Sequence, residues 1–415
     1  MLQNVRGTRD LIGLDLVLYK KILQMVSDIS LCYSYSEIST PILEYSSIFQ
    51  KTLGETSDIV SKETYTFDDR EKRSLILRPE FTAAIARAVI SGGMTQNMPL
   101  KLFSHGPLFR HERPQRGRYR EFHQLNFEFL GEDSPFADAE LLYMLQKIVE
   151  ALGIKEAVSL QINTIGDFES REAYKSALIK YLHDKKNSLS KESLAKIEKN
   201  VLRVLDSKSE EDIEALKCAP SIMDYLNKRS KEFYVQLLDI LDSLGVRYFQ
   251  NNKLVRGMDY YNDTVFEFTT ELLGAQSTVI AGGRYDNLFK MMDSKFNIPA
   301  VGAAAGIERL MELVDNHEEN SDSLVSVITL SQEMEGLKLA ILLRGLGIKT
   351  DMLYFASLKK CIKRASKTRF TVIIGEDEIR SMKYKVKDMG SGEEVFIECH
   401  RVPNYIFEKL RLLNS

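Results

Sequence analysis

The sequence predicts an α+β body built on long β-hairpins, interrupted by a helical insertion and followed by a small α/β domain. Three observations predict it. Residues 103–131, FSHGPLFRHERPQRGRYREFHQLNFEFLG, read as two strands flanking a polar loop broken by Pro114 and Gly117. From Phe168 to Leu244 the pattern turns highly charged, with Leu and Ile at helical spacing. Beyond a polar run at 315–323, DNHEENSDS, strand and helix patterns alternate to the last residues.

The chain opens on an irregular arm, VRGTRDLIG. Leu14, Leu18, Ile22, Met25 and Ile29 then recur at intervals of 4, 4, 3 and 4, the period of an amphipathic helix whose stripe is core or a partner-helix contact. After STPILE, with Pro41, comes a polar segment, TLGETSDIVSKETYTFDD, ending in a strand-like TYTF. In SLILRPEFTAAIARAVI, Pro79 ends a strand and an alanine-rich helix begins. Glu80 and Thr82 fall at that helix N-terminus, where such residues either cap the helix or face a ligand.

The hairpin strands span Leu102 to Arg110 and Glu121 to Leu130. The tip carries Arg110, Arg113, Arg116, Arg118 and Arg120 and no lysine; the planar arginine fork grips phosphate in a bidentate way. On the second strand His123, Leu125, Phe127 and Phe129 share one face, mostly apolar and suited to a core. Phe122, Gln124, Asn126 and Glu128 share the other. That face is a poor core surface, because each buried polar group needs a partner, and a good floor for a polar ligand. At ~3.3 Å per residue, Glu128 lies about 13 Å from Gln124 and about 20 Å from Phe122, enough for a nucleotide and a small metabolite end to end. Arg110 and Glu112 likewise share a face. The alternative is a solvent-exposed hairpin with a charged tip.

Asp138 to Leu152 reads as a helix and SLQINTIGD as a strand and turn. The helical insertion covers about 168–247. KLVRGMDYYNDTVFEF reads as a second hairpin turning at Asn262-Asp263, with Arg256 near a strand end. A charge so close to the core needs an anion: Asp259, another structural carboxylate, or a ligand. In VIAGGRYDNL, Gly282 and Gly283 permit close backbone approach or positive φ. IPAVGAAAGIERLMELV reads as a small-residue strand from Gly302 to Gly306, then a helix with Ile307, Leu310, Met311 and Val314 on one face and Arg309 off it, in solvent or on a ligand. In the last domain Lys360, Lys363, Arg364 and Lys367 make a basic helix face, solvated or nucleic-acid-binding. GLGIKT lacks the P-loop spacing.

At 415 residues and 47.4 kDa the chain exceeds one ordinary domain. No run approaches 18 uncharged apolar residues, so no membrane span is expected, and the N-terminus lacks the apolar stretch of a secretory signal. Four scattered cysteines without a CxxC pair argue against a disulfide framework or a zinc site and fit a reducing cytoplasm. The net charge of −3 divides unevenly. From Leu324 onward 16 Lys+Arg face 11 Asp+Glu, a net +5, and the remainder is −8, which points to a polyanionic partner for the C-terminal module.

FRHERPQRGRYREFHQLNFEFLG resembles motif 2 of the class II aminoacyl-tRNA synthetases, and specifically of the histidyl-tRNA synthetase family. LVRGMDYY and GGRYD resemble two signatures of that family, GIERLMELV resembles motif 3, and the first helix with Pro41 resembles motif 1. The likeness spans the chain and keeps the motif order. It implies an antiparallel six- or seven-stranded sheet flanked by helices in a catalytic domain over 1–323, and an anticodon-binding α/β domain over 324–415. It also implies a cytoplasmic homodimer, with motif 1 at the dimer interface, that uses ATP and Mg²⁺ to join L-histidine to its tRNA through histidyl-adenylate.

By the same resemblance Arg110 and Arg256 flank the α-phosphate, Arg118 and Arg309 hold the outer phosphates, Phe122 stacks on adenine and Glu112 accepts from its amino group. Glu80, Thr82 and Gln124 take the α-ammonium, Arg256 the carboxylate, and Glu128, Tyr261 and Tyr285, beside Tyr260, the imidazole. Arg113, Gln115 and Arg116 contribute to the tRNA acceptor end, and no side chain is assigned to a metal. The chain departs from the family pattern at Gly13 (usually proline), Phe81 (glycine) and Met258 (leucine). A non-catalytic paralogue that serves histidine biosynthesis shares the fold, but it usually lacks the LVRG arginine and the C-terminal domain, both present here.

Overall fold

The computed structural model describes residues 2–53, 63–114, 117–258, 260–274, 277–314, 324–354 and 358–413. Gln115, Arg116, Asp259 and the run 315–323 therefore lie outside the described residues. The chain divides into two compact units, Met1–Asp315 and Asn316–Ser415.

The first unit runs α1 (Gly13–Cys32), β1 (Ser36–Glu37), β2 (Leu43–Tyr45), α2 (Ser46–Leu53), β3 (Tyr65–Asp68), β4 (Ser74–Leu77), α3 (Thr82–Ser91), β5 (Leu100–Phe109), β6 (Glu121–Leu130), α4 (Pro135–Ala151) and β7 (Ser159–Thr164). The insertion helices follow: α5 (Phe168–Asp184), α6 (Lys191–Lys199), α7 (Glu210–Ala215) and α8 (Lys228–Ser243). Then come β8 (Phe249–Gln250), β9 (Asn262–Thr269), β10 (Thr278–Arg284), α9 (Leu288–Met292), β11 (Ala300–Gly306) and α10 (Ile307–Leu313). The main sheet has the order β1-β5-β6-β11-β10-β9-β7-β8. Its six inner strands are antiparallel, as expected, and two-residue strands pair in parallel at each edge. A second, three-stranded sheet joins β2, β4 and β3.

Alternation along β6 decides what each face of the main sheet meets. Leu125, Phe127 and Phe129 enter the core beneath α1, α4 and α8. Phe122 packs on the opposite side, in the core that holds α3 and three tyrosines of the pocket described below. On α1 the buried line is Leu18, Ile22, Val26 and Ser30, so Leu14 is left exposed and Met25 and Ile29 only flank the core.

Two expectations fail locally. Val255–Gly257 belongs to no strand, so Arg256 sits on irregular backbone. Asn262-Asp263 does not turn a hairpin either: it opens β9, and the hairpin partner is β10. The turn-forming residues serve another purpose. Asp263 adopts φ 47° at a register shift opposite Gly283 and Arg284, its N–H donating to the Gly166 carbonyl at 2.8 Å. Asn262 Nδ2 donates to Asp286 Oδ2 at 2.9 Å, and the Asp286 N–H returns a bond to Asn262 Oδ1 at 2.8 Å.

The insertion has its own core, from Tyr174 to Ile222. Its last helix belongs to the body, since Tyr234, Leu237 and Leu241 of α8 pack in the core shared with α4.

The second unit runs β12 (Leu324–Thr329), α11 (Glu333–Gly345), β13 (Lys349–Leu353), α12 (Leu358–Ala365), β14 (Phe370–Ile374), α13 (Glu376–Arg380), β15 (Lys383–Asp388), β16 (Glu394–Glu398) and α14 (Val402–Leu413). Its sheet, β13-β12-β14-β15-β16, is mixed: the first three strands are parallel and the last two antiparallel. Cys361 and Ala365 bury the inner face of α12, leaving Lys360, Lys363 and Arg364 exposed, while Lys367 lies past its end.

Candidate active site

One pocket of the first unit gathers Glu80, Thr82, Arg110, Glu112, Arg118, Phe122, Gln124, Arg256, Tyr260, Tyr261, Tyr285 and Arg309. Its floor is the polar face of β6. The neighbouring strand is nearly bare: β11 sets Gly306 opposite Gln124, Ala304 opposite Asn126 and Gly302 opposite Glu128. A Cβ on Gly302 would collide with the Glu128 carboxylate and come within 2.8 Å of the Phe127 carbonyl, so only glycine leaves that acid room. Gly283 has a similar duty. Its close approach to the Thr264 carbonyl and the Tyr261 ring (3.0 Å for a built Cβ) is the reason for glycine, and its φ is not positive.

The pocket is cationic toward the hairpin tip. Arg110 donates through Nε to the Pro79 carbonyl at 3.0 Å and lies 5.3 Å from the Phe122 ring centre. Arg118 pairs with Glu112. Arg309 donates to the Gly117 carbonyl (3.1 Å) and the Thr278 carbonyl (2.6 Å), which aims it across the pocket and off the buried stripe of α10. Glu308, one residue earlier, fixes that helix to the hairpin by accepting from the His123 N–H at 3.0 Å and meeting Nδ1 at 3.0 Å. His123 therefore serves as an anchor at the margin of the core face. Burial, with the charges of Arg110 and Arg118, pushes the Arg309 pKa down. Several guanidiniums that repel one another in a half-closed space make a site for a multiply charged anion.

The other end is acidic and aromatic. Glu80 is 4% exposed: Oε1 accepts from the Ala83 N–H at 3.3 Å in the first turn of α3, and Oε2 accepts from the Tyr260 hydroxyl at 3.0 Å. Glu128, 1% exposed, lies beneath the pocket wall and accepts from the Tyr285 hydroxyl. Its Oε1 has no hydrogen-bond partner among the described residues. Burial pushes the Glu128 carboxyl up to about 8, against the pull of Thr82 and Tyr285 and with the push of Glu80's charge. Burial raises Glu80 too. The three tyrosine rings enclose the space, with centroids 4.7 Å (Tyr260–Tyr261), 5.7 Å (Tyr260–Tyr285) and 6.4 Å (Tyr261–Tyr285) apart.

Arg256 stands between the ends, 5.5 Å from the Tyr261 ring centre and paired with Glu267. Glu267, which also accepts from the Thr278 hydroxyl at 2.9 Å, is a pocket residue that sequence reasoning missed. The signal was present: in VFEF, Phe266 and Phe268 take the core face, which leaves Glu267 on the face that Gln124 and Glu128 occupy in β6. Also missed was a buried network behind Tyr285, where Arg284 bonds Asp138 and Asp286. Phe81 is fully buried, with the Arg78 guanidinium 4.3 Å from its ring centre. Arg113 is exposed at the tip.

The chain has many relatives among known proteins. The family model described as histidyl-tRNA synthetase matches residues 7–310. The chain is 46% identical to the histidine–tRNA ligase of Wolbachia pipientis over 95% of this chain and 97% of that one. It is 43% identical to that of Gluconobacter oxydans over 95% of each. Among solved structures, apo histidyl-tRNA synthetase of S. aureus superposes with a TM-score of 0.79 at 32% identity, over 98% of this chain and 100% of that one. A pocket that is arginine-rich at one end and acid-and-tyrosine-lined at the other thus coincides with matches that run almost end to end, and the chain belongs to the histidyl-tRNA synthetase family.

Proposed function

We propose that the pocket carries out both steps of histidine charging, with the nucleotide over the β6 floor and the amino acid at the Glu128 end. The chain is an ATP-dependent histidine–tRNA ligase. In the first step a histidine carboxylate oxygen attacks the α-phosphorus of ATP and pyrophosphate leaves. In the second the terminal ribose hydroxyl of the histidine tRNA attacks the carbonyl of histidyl-adenylate and AMP leaves. The work is positioning and charge neutralisation. Arg110 and Arg256 neutralise the charge that develops at the α-phosphate, and Arg118 and Arg309 hold the outer phosphates. Phe122 stacks on adenine and Glu112 accepts from its amino group. Glu80, Thr82 and Gln124 hold the α-ammonium. Glu128, Tyr261 and Tyr285, with Tyr260 behind them, read the imidazole. Apolar amino acids would leave these buried groups unpaired, which supports rejection of roughly 10⁴-fold without an editing step.

Mg²⁺ belongs to this reading as a companion of ATP. Among the described residues no three His, Cys, Asp or Glu side chains gather as a metal site, which suits an ion that arrives mainly on substrate phosphates and keeps its waters. When bound it would neutralise phosphate charge. The protein works as a homodimer through motif 1, supported by the exposed Leu14, Val17, Leu31, Ile42, Leu43 and Tyr45 around α1 and β2. It works in the cytoplasm, where its four cysteines, none of them in a disulfide, stay reduced. Among the described residues no helix is long and apolar enough to cross a membrane. Arg113, with Gln115 and Arg116, meets the tRNA acceptor end, and the second unit binds the anticodon.

The observation that carries the reading is the joint placement of Arg110, Arg118, Arg256 and Arg309 with Glu80 and Glu128 in or under one pocket. The test is amino-acid-dependent ATP–pyrophosphate exchange, with each of the twenty amino acids, Mg²⁺ and no tRNA. Exchange with histidine alone is expected. Folded protein that binds histidine yet exchanges nothing would instead be a regulatory paralogue.

A further inference from the structure

Residues 255–258, which carry Arg256 and lead toward the tyrosines, lie in no strand or helix. No ladder of backbone bonds fixes them, yet the guanidinium they carry has to stand in one place. Side chains hold the neighbouring carbonyls instead. Leu254 C=O accepts from Asn163 Nδ2 of β7 at 3.0 Å, Gly257 C=O from Arg203 Nη2 at 2.6 Å, and Tyr261 C=O from Arg171 Nη1 at 2.5 Å. Both arginines come from the helical insertion, Arg171 from α5 and Arg203 from the short turn Val201–Val204. Packing repeats the connection. Val255 touches the insertion's core and also the core under the pocket. A small cavity at this junction is lined by Arg171, Asn200, Leu202, Val255, Arg256 and Met258, so the insertion reaches Arg256 from behind.

We infer that Arg171 and Arg203 are positioning residues for histidine activation, and that the insertion, by gripping the Gly257 and Tyr261 carbonyls, sets where the Arg256 guanidinium and the Tyr261 ring stand. The inference rests on the activity proposed above. A carbonyl held by a guanidinium makes a charge-assisted bond, stronger than one between neutral groups, and these two bonds fall on the residue next to Arg256 and on Tyr261 itself. A mere tether would stabilise the insertion and leave the rate constant alone. A positioning contact does the reverse: its loss lowers kcat in a protein that is still folded.

The test is histidine-dependent pyrophosphate exchange on the full chain, with Arg203→Gln, Arg171→Gln and the lysine variants at both positions. The parent is measured first, and if it fails with histidine, the activity itself is refuted, separately from this inference. With an active parent, Arg203→Gln is expected to lower kcat roughly 10- to 100-fold, the cost of a misplaced catalytic group, with the KM for ATP within about twofold. Arg171→Gln should act more on the KM for histidine, through Tyr261. Arg203→Lys should restore part of the rate, because a single donor can still reach one carbonyl. Unchanged kcat and KM in both glutamine variants overturns the inference. So does a loss that merely follows the folded fraction measured by circular dichroism, or a lysine variant no better than glutamine.

Discussion

In the proposed reading Glu128 meets histidine carrying a proton. Its carboxyl, pushed up to about 8 by burial, is neutral at physiological pH. Because the folded value lies above the ordinary carboxylate value, the native chain binds more protons than the unfolded chain between those two values. This group's contribution to stability is therefore greatest at or below the ordinary value, declines as pH rises toward 8, and then levels off. Free imidazole titrates near 6.5, so at about pH 7.3 a neutral ring and a protonated Glu128 already hold the one proton that a carboxylate–imidazolium pair needs. Histidine binding followed by calorimetry in buffers of different ionisation enthalpy should show almost no proton exchange at that pH. Affinity should fall about tenfold per pH unit above 8 and again below 6.5. Uptake or release of a full proton at pH 7.3 would contradict a protonated Glu128. Glu128→Ala should abolish histidine binding or selectivity, and a near-normal KM for histidine would remove Glu128 from the pocket's readers. Arg256 is charged throughout, and its role is judged by rate: replacing it with alanine should cost about 3 kcal/mol in adenylate formation, as for the loss of one preorganised donor. A tenfold or smaller loss would take it off the catalytic list.

Strands β6, β9 and β11 show what the sequence could tell and what it could not. The faces of β6 were legible because alternation is local: two amides and a carboxylate opposite a Leu/Phe row cannot all be paired inside an apolar core, so that face must meet water or a polar ligand. The small-residue strand at Gly302 was legible as a strand, but its purpose was not, since the Glu128 carboxylate it makes room for belongs to a different strand 174 residues earlier. Asn262-Asp263 misled for the same reason. A turn pair looks alike whether it closes a hairpin or, as here, fits a bulge and ties β9 to Asp286. Arg256 was singled out correctly as a charge needing a partner, but its partner Glu267 is visible only once β9 is placed beside the pocket. Helix α8 was read with the insertion because charge density and helical spacing carry no record of which core a helix enters. Gly302→Ala should displace the Glu128 side chain and raise the KM for histidine by about tenfold or more, with the KM for ATP little changed. Overpacking should also cost stability, roughly 1–3 kcal/mol by denaturant unfolding. An unchanged histidine KM in a folded variant would mean that Glu128 is not held where β11 leaves room for it.

At the scale of the molecule, charge separates the two units. Residues 316–415 hold 16 Lys+Arg against 14 Asp+Glu, a net +2 that rises to +5 from Leu324 onward, and residues 1–315 hold 40 against 45, a net −5, so a polyanion meets less repulsion on the smaller unit than on the larger one outside its arginine-lined pocket. On α12 the apolar side is committed to the core through Cys361 and Ala365, which leaves Lys360, Lys363 and Arg364 on exposed helix, where Arg364 makes a 4.0 Å surface pair with Asp351 that is worth little. Charge reversal of these three to glutamate should therefore cost little stability. It should raise the KM for tRNA in the charging reaction, and histidine-dependent pyrophosphate exchange, which needs no tRNA, should stay at the parent rate. The salt dependence separates a contact with RNA from a loss of net charge alone. If the three residues touch phosphates, the slope of log KM for tRNA against log salt should shrink by about one per contact removed. Reversal of an equal number of exposed lysines elsewhere on the second unit, such as Lys349, Lys383 and Lys409, should leave that slope nearly unchanged. Equal effects from the two sets would make the attraction a property of the whole unit, and α12 would be an ordinary solvated face.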